Sequence, residues 1–143
     1  MAPKKITSKK LGSKKKKPSN DLAQFRNTYV KLFGTLPPLP AARFEFSSEV
    51  NPEFLRLSER MRAHTFFSGV IDGKTTQLIL FGMLLVEHNQ MGAMAHAAAA
   101  RRLGASWEEL HKVMELAATT GALGPANQGT ALLRDLRAKE QGK

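Results

Sequence analysis

The nine residues from Leu78 to Val86, LILFGMLLV, contain no charged or polar side chain. Nine residues cannot cross a bilayer, which takes about twenty. Asp72 upstream supplies an N-cap, so the segment reads as a helix that is apolar on every side. Such a helix has to be covered, either at the centre of the domain or between subunits. A second helix follows, in which Ala93, Ala95 and Ala97 to Ala100 form a strong helix former whose small side chains let neighbours approach closely.

The other segments repeat at the same helical period. Leu22, Phe25, Tyr29, Leu32 and Phe33 mark a first amphipathic helix, with Gly34 at the position of a C-terminal glycine cap. TLPPLP reads as an extended or turn-like linker, because each proline restricts the residue before it. Asn51, Pro52 and Glu53 supply a cap, a first-turn proline and a first-turn acid for a helix running to about His64. Gly104 ends the alanine-rich helix, and Ser106 with Glu109 forms a capping box that starts another. Gly121 is expected to stop that helix, and Gly124 with Pro125 to start the last. No stretch alternates like a strand. The expected fold is all-α, a compact bundle of about six helices.

The chain has 143 residues and a net charge of +10, but the charge is not spread evenly. Lys4, Lys5, Lys9, Lys10, Lys14, Lys15, Lys16 and Lys17 fall in residues 1–20, where there is no acidic residue. The rest of the chain is nearly balanced. Residues 1–20 are therefore expected to be a solvated, disordered tail, too poor in apolar residues to fold. As a functional element the tail would bind a polyanion weakly and without sequence preference. Residues 21–143 are expected to form the single domain. No apolar segment follows the lysines as a secretory signal would require, and the expected compartment is the cytoplasm.

The polar residues that could carry chemistry cluster between the two middle helices: Glu87, His88, Asn89 and Gln90, then Gly92 and His96. Asn89, Gly92 and His96 share one face if the helix includes Asn89, since positions i, i+3 and i+7 align. Periodicity alone also suits a plain core histidine at position 96. Glu87 and His88, being adjacent, diverge by about 100° on a regular helix, so both can face His96 only if the helix breaks near Asn89. His88 and His96 are not at a usual chelating spacing, and no metal site or cofactor motif is expected.

The segment from Gln77 to Ser106, together with GALGPAN further on, resembles the carboxymuconolactone decarboxylase and alkylhydroperoxidase D-like family. The peroxidase branch of that family carries Cys-x-x-Cys-x-x-x-His on one helix. The two cysteine positions correspond to Asn89 and Gly92, and the chain has no cysteine at all. Thiol peroxidase chemistry is thereby excluded. The decarboxylase branch has an Arg-Glu-His-Glu-like run where Asn89 to Gly92 stand, so Gly92 replaces a carboxylate and opens volume beside His96. The resemblance implies an active-site role for His96, and the acidic residue of the family's preceding helix falls at about Gln77.

The expected activity is that of a cofactor-free lyase of the decarboxylase type, or an isomerase, acting on a small organic acid or an aromatic-catabolism intermediate. His96 would transfer the proton. Gln77, Glu87, His88, Asn89 and Gly92 would line or bind the substrate, with Arg62 or Arg101 as candidate partners for a carboxylate. The alternative is a non-catalytic oligomer that displays its basic tails to a polyanion. In either case a homo-oligomer is expected, and the resembled family favours trimers or hexamers.

Overall fold

The computed structural model describes residues 20–142. Among them are six helices and no strand: α1 (Asn20–Phe33), α2 (Pro38–Val50), α3 (Pro52–Phe66), α4 (Gly73–Val86), α5 (Gln90–Arg102) and α6 (Trp107–Glu140). The eight lysines between Lys4 and Lys17 lie outside the described residues. No helix among those described is long and apolar enough to cross a membrane.

The start and stop signals act where the side chains dictate. Asn51 accepts from the Phe54 amide, Asp72 from that of Thr75, and Ser106 and Glu109 cap each other's backbone reciprocally. Gly34 and Gly104 take the left-handed conformation, at φ +79° and +90°.

Two expectations need correction. The TLPPLP linker is shorter than its prolines suggested, because Pro38 opens α2 and Pro40 lies in its first turn. First-turn amides have no partner within a helix, so prolines there forfeit no hydrogen bond. The C-terminal pair of helices is instead one helix of 34 residues running through Gly121, Gly124 and Pro125. A glycine allows a left-handed stop without imposing one, and neither Gly121 nor Gly124 has a positive φ.

The interior falls into two clusters. Tyr29, Phe44 and Leu55 join α1, α2 and α3, with Phe25 and Phe33 packed against them. Ala100, Ala105 and Leu110 join α5, the following turn and α6, with Leu78 and Phe81 of α4 beside them. α4 packs most extensively on α5 and then on α6. A Cβ at Gly82 would come within 2.9 Å of Val113 Cγ1, so this glycine sets how closely α4 and α6 approach.

The first cluster has a charged centre. Glu59 of α3 is completely buried and accepts from Tyr29 Oη at 3.0 Å, from Arg62 Nε at 3.0 Å and from Arg43 Nη2. One carboxylate therefore ties α1, α2 and α3 together. Removing its charge would leave two guanidiniums without a counter-ion, a change that costs about 3–5 kcal/mol in buried pairs. Glu59→Gln is expected to lose stability of that order in urea unfolding, against about 1 kcal/mol for loss of the α6 cap in Ser106→Ala. A loss below about 1 kcal/mol in Glu59→Gln would mean that apolar packing alone holds the three helices.

Candidate active site

His96 sits where the two clusters meet. It lies in the middle of α5, half-buried, with Phe33 of α1 and Phe66 of α3 edge-on to its ring at centroid distances of 5.3 and 6.1 Å. Gln77 of α4 is buried and its Oε1 lies 2.7 Å from His96 Nδ1. With the amide oxygen as acceptor, Nδ1 carries the hydrogen, and Nε2 keeps its lone pair for a reacting proton. Burial, and secondarily the positive charge of Arg62, lower the His96 pKa from 6.5 to about 4. The ring is neutral at physiological pH.

One face of His96 borders a cavity of about 220 Å³. Gly92 and Met91 line it from α5, Phe66 and Arg62 from α3, and Tyr29 and Phe33 from α1. Pro37 to Pro40 and Arg43 close it from the start of α2. The wall is mostly apolar, and its charged residues are Arg43 and Arg62. Arg62 is held by three partners: Nε donates to Glu59, Nη2 to Thr28 Oγ1, and the guanidinium lies 3.8 Å from the centroid of the Tyr29 ring. Tyr29 donates to Glu59 while accepting from Arg43 Nη2 at 2.6 Å. Burial above all raises its pKa, so the phenol stays protonated.

The expected site residues separate into two groups. His96, Gln77 and Gly92 come together, and of the two arginines considered only Arg62 reaches the cavity. Arg101 instead lies over the Trp107 ring and donates to the Ala105 carbonyl.

Glu87, His88 and Asn89 lie on the turn between α4 and α5, outside the cavity wall. The chain reverses there because His88 adopts a left-handed φ of +56°. Asn89 consequently precedes α5 as its N-cap, and its Oδ1 accepts from the Gly92 amide at 2.9 Å. The helix thus begins one residue too late for Asn89 to share a helical face with His96.

Gly92 has a structural reason as well: an added Cβ would lie 3.0 Å from Asn89 Oδ1 and 3.2 Å from Leu84 Cδ1. The glycine leaves room both for the cap and for the cavity.

Sequence reasoning passed over Tyr29, Arg43 and Glu59. For Glu59 a signal existed: Leu55, Glu59, Arg62 and Phe66 recur at i, i+4, i+7 and i+11, a single helical stripe. Charges on the same stripe as a core leucine mark a buried ion pair. Arg43 had no such signal, because its helix was read as linker and unassigned chain.

No curated protein matches the chain, and neither does any solved structure. The model of the carboxymuconolactone decarboxylase family matches residues 52–135. That match spans α3, α4, α5 and most of α6, and so contains Arg62, Gln77, Gly92 and His96, whereas Tyr29, Phe33 and Arg43 lie before it. Because that match covers more than half of the sequence, the chain belongs to the carboxymuconolactone decarboxylase family.

Proposed function

We infer that the cavity beside His96 is the reaction site of a cofactor-free lyase or isomerase acting on a small organic acid. The observation that carries this reading is the fixed, neutral imidazole of His96, with Nδ1 committed to Gln77 and Nε2 left for the substrate. Neutral Nε2 takes a proton from carbon next to a carbonyl, and the electron pair passes to the carbonyl oxygen as an enolate. Where a carbon–carbon double bond is conjugated with that enolate, return of the proton to its far carbon shifts the double bond and isomerises the substrate. In the decarboxylating direction, the carbon–carboxylate bond breaks, its electron pair forms the enolate, carbon dioxide leaves, and a proton from water reaches carbon through His96.

A histidine with a pKa near 4 is a weak base at neutral pH. A bound anion would oppose the Arg62 charge that helps depress it and move His96 back towards its operating range.

Assembly is part of the same reading. Ile79, Met83 and Val86 on α4, and Leu116, Leu123, Leu132, Leu133 and Leu136 on α6, are exposed within one chain. Phe54, Leu57 and Met61 leave the outer side of α3 equally bare. Ile79, Met83, Val86 and Leu116 line one shallow apolar groove between α4 and α6, and contiguous apolar surface of this kind marks an interaction face, which supports a homo-oligomer formed through α4 and α6. Light scattering on the full chain at micromolar concentration is expected to give a multiple of 15.7 kDa. A monomer mass would reject the assembly.

Turnover is tested by incubating small oxo acids and unsaturated acids with the protein in deuterated water, following carbon-bound deuterium and carbon dioxide release by NMR. His96→Gln is expected to keep its helix content and assembly while losing about 10²- to 10⁴-fold in rate. Equal rates in parent and variant would remove His96 from the chemistry.

The His96 pKa also predicts a pH signature. The unfolded chain binds a proton near pH 6.5 and the folded chain only near 4. The stabilising difference is therefore complete above pH 6.5 and is lost as pH falls towards 4. Between about pH 7 and 4.5, urea unfolding of the parent should weaken by at least about 1 kcal/mol more than that of His96→Gln. Parallel profiles would contradict the lowered pKa.

A further inference from the structure

We propose that Arg43 is the residue that grips the substrate's charge, and that the cavity takes a compact monoanion with an apolar or aromatic body. This rests on the reading of the cavity as the reaction site and adds the charge, the shape and the residue that select the ligand.

The charge balance comes first. Among the described residues the cavity wall carries Arg43 and Arg62 and no acidic side chain. Beneath it lies one carboxylate, that of Glu59, with both oxygens engaged. Tyr29 is protonated and His96 neutral. Two guanidiniums against one carboxylate leave a single positive charge in a partly buried, apolar setting. One negative charge balances it. A second would be desolvated without a partner, which is strongly unfavourable.

The hydrogen bonds distinguish the two arginines. Arg62 has an 11% exposed side chain and is held by Glu59, Thr28 and the Tyr29 ring, so it supplies a fixed field. Arg43 is 38% exposed and is tethered through Nη2. Arg43 Nε and Arg62 Nη1 are buried and make no hydrogen bond among the described residues. Incompletely satisfied guanidinium donors beside excess positive charge suit a carboxylate, which accepts two parallel N–H groups from an arginine fork. Arg43, the more exposed of the two at the cavity wall, is the arginine whose remaining donors a ligand reaches first.

Shape comes from the remaining wall. Phe33, Phe66, Met91 and Leu39 offer apolar and aromatic contacts that favour a flat or compact body over a second polar group. Arg43 and Leu39 belong to α2 and Phe33 to α1, all outside the residues that match the family model. Selection of the anion is therefore carried by the part of this chain that precedes the matched region, while His96 and Gln77 belong to the matched part.

Calorimetric titration of the full chain at pH 7.5 with benzoate, benzamide, phthalate and inorganic phosphate tests the proposal without requiring turnover. Benzoate is expected to bind saturably at one per chain. The neutral benzamide, the dianion phthalate and inorganic phosphate, mostly dianionic at this pH and without an apolar body, should each bind at least about tenfold more weakly. Arg43→Gln should lower benzoate affinity at least about tenfold at unchanged helix content, and Arg43→Lys, which keeps the charge without the fork, should fall between. Benzamide binding as tightly as benzoate, a dianion binding more tightly, or Arg43→Gln binding benzoate like the parent would each overturn the proposal. If Arg43→Gln does not fold, the ligand series on the parent decides alone. Arginine-dependent benzoate binding in a protein that exchanges no carbon-bound proton would uphold the anion site and reject the reaction instead.

Discussion

The Glu59 carboxylate is the interaction on which the N-terminal half of the molecule depends. Three donors from three helices converge on it, from Tyr29 in α1, Arg43 in α2 and Arg62 in α3. A charge taken fully out of water is tolerated only with such partners. These helices bury few large side chains of their own, chiefly Tyr29, Phe44 and Leu55. The ion cluster consequently fixes orientation more than it adds apolar stabilisation, and it holds Arg43 and Arg62 at the cavity wall.

The same cluster governs the histidine. His96 is enclosed by Phe33 and Phe66, which are themselves placed by α1 and α3. Withdrawal from water disfavours the imidazolium, and the nearby Arg62 charge disfavours it further. Gln77 contributes orientation without charge: an acid at that position would raise the histidine's pKa, whereas the amide only fixes its tautomer. Site chemistry and fold therefore share one network, in which Arg62 braces Glu59 and depresses His96 at once.

The C-terminal half is built differently. α4, α5 and the first part of α6 meet through small residues, with Ala99, Ala100 and Ala105 fully buried and Gly82 against Val113. Close approach through small side chains buries backbone more than apolar side-chain area. Leu78, Phe81 and Leu110 turn inward, but Ile79, Met83 and Val86 of α4 and Leu116 to Leu136 along α6 include large side chains left facing outward. α6 continues through Pro125, and among the described residues nothing beyond the helix's own backbone lies within 4 Å of a Cβ placed at Gly121, Gly124 or Gly129. Such a helix gains its stability from packing rather than propensity, which ties the continuity of α6 to the assembly inferred for the protein.

Helix by helix, the local signals in the sequence were sufficient wherever a side chain acts on its own backbone. Asn51, Asp72 and Ser106 with Glu109 cap as their positions require, and Gly34 and Gly104 end helices. With no cysteine, the sequence offers no thiolate for the chemistry of the family's peroxidase branch. His96 and Gln77 were legible because they lie within the family's segment. Arg43 and Tyr29 were not, and the helical stripe that marks Glu59 as a buried charge does not name its partners, since their meeting joins positions 14 to 30 residues apart and no local period records such a contact. The left-handed turn at His88, which moves Asn89 off the His96 face, and the passage of α6 through Pro125 were likewise decided in three dimensions. Capping and periodicity are short-range and can be read from neighbouring residues. Which charges are buried together, and which helix ends must turn, depends on desolvation and packing that exist only once the helices have met.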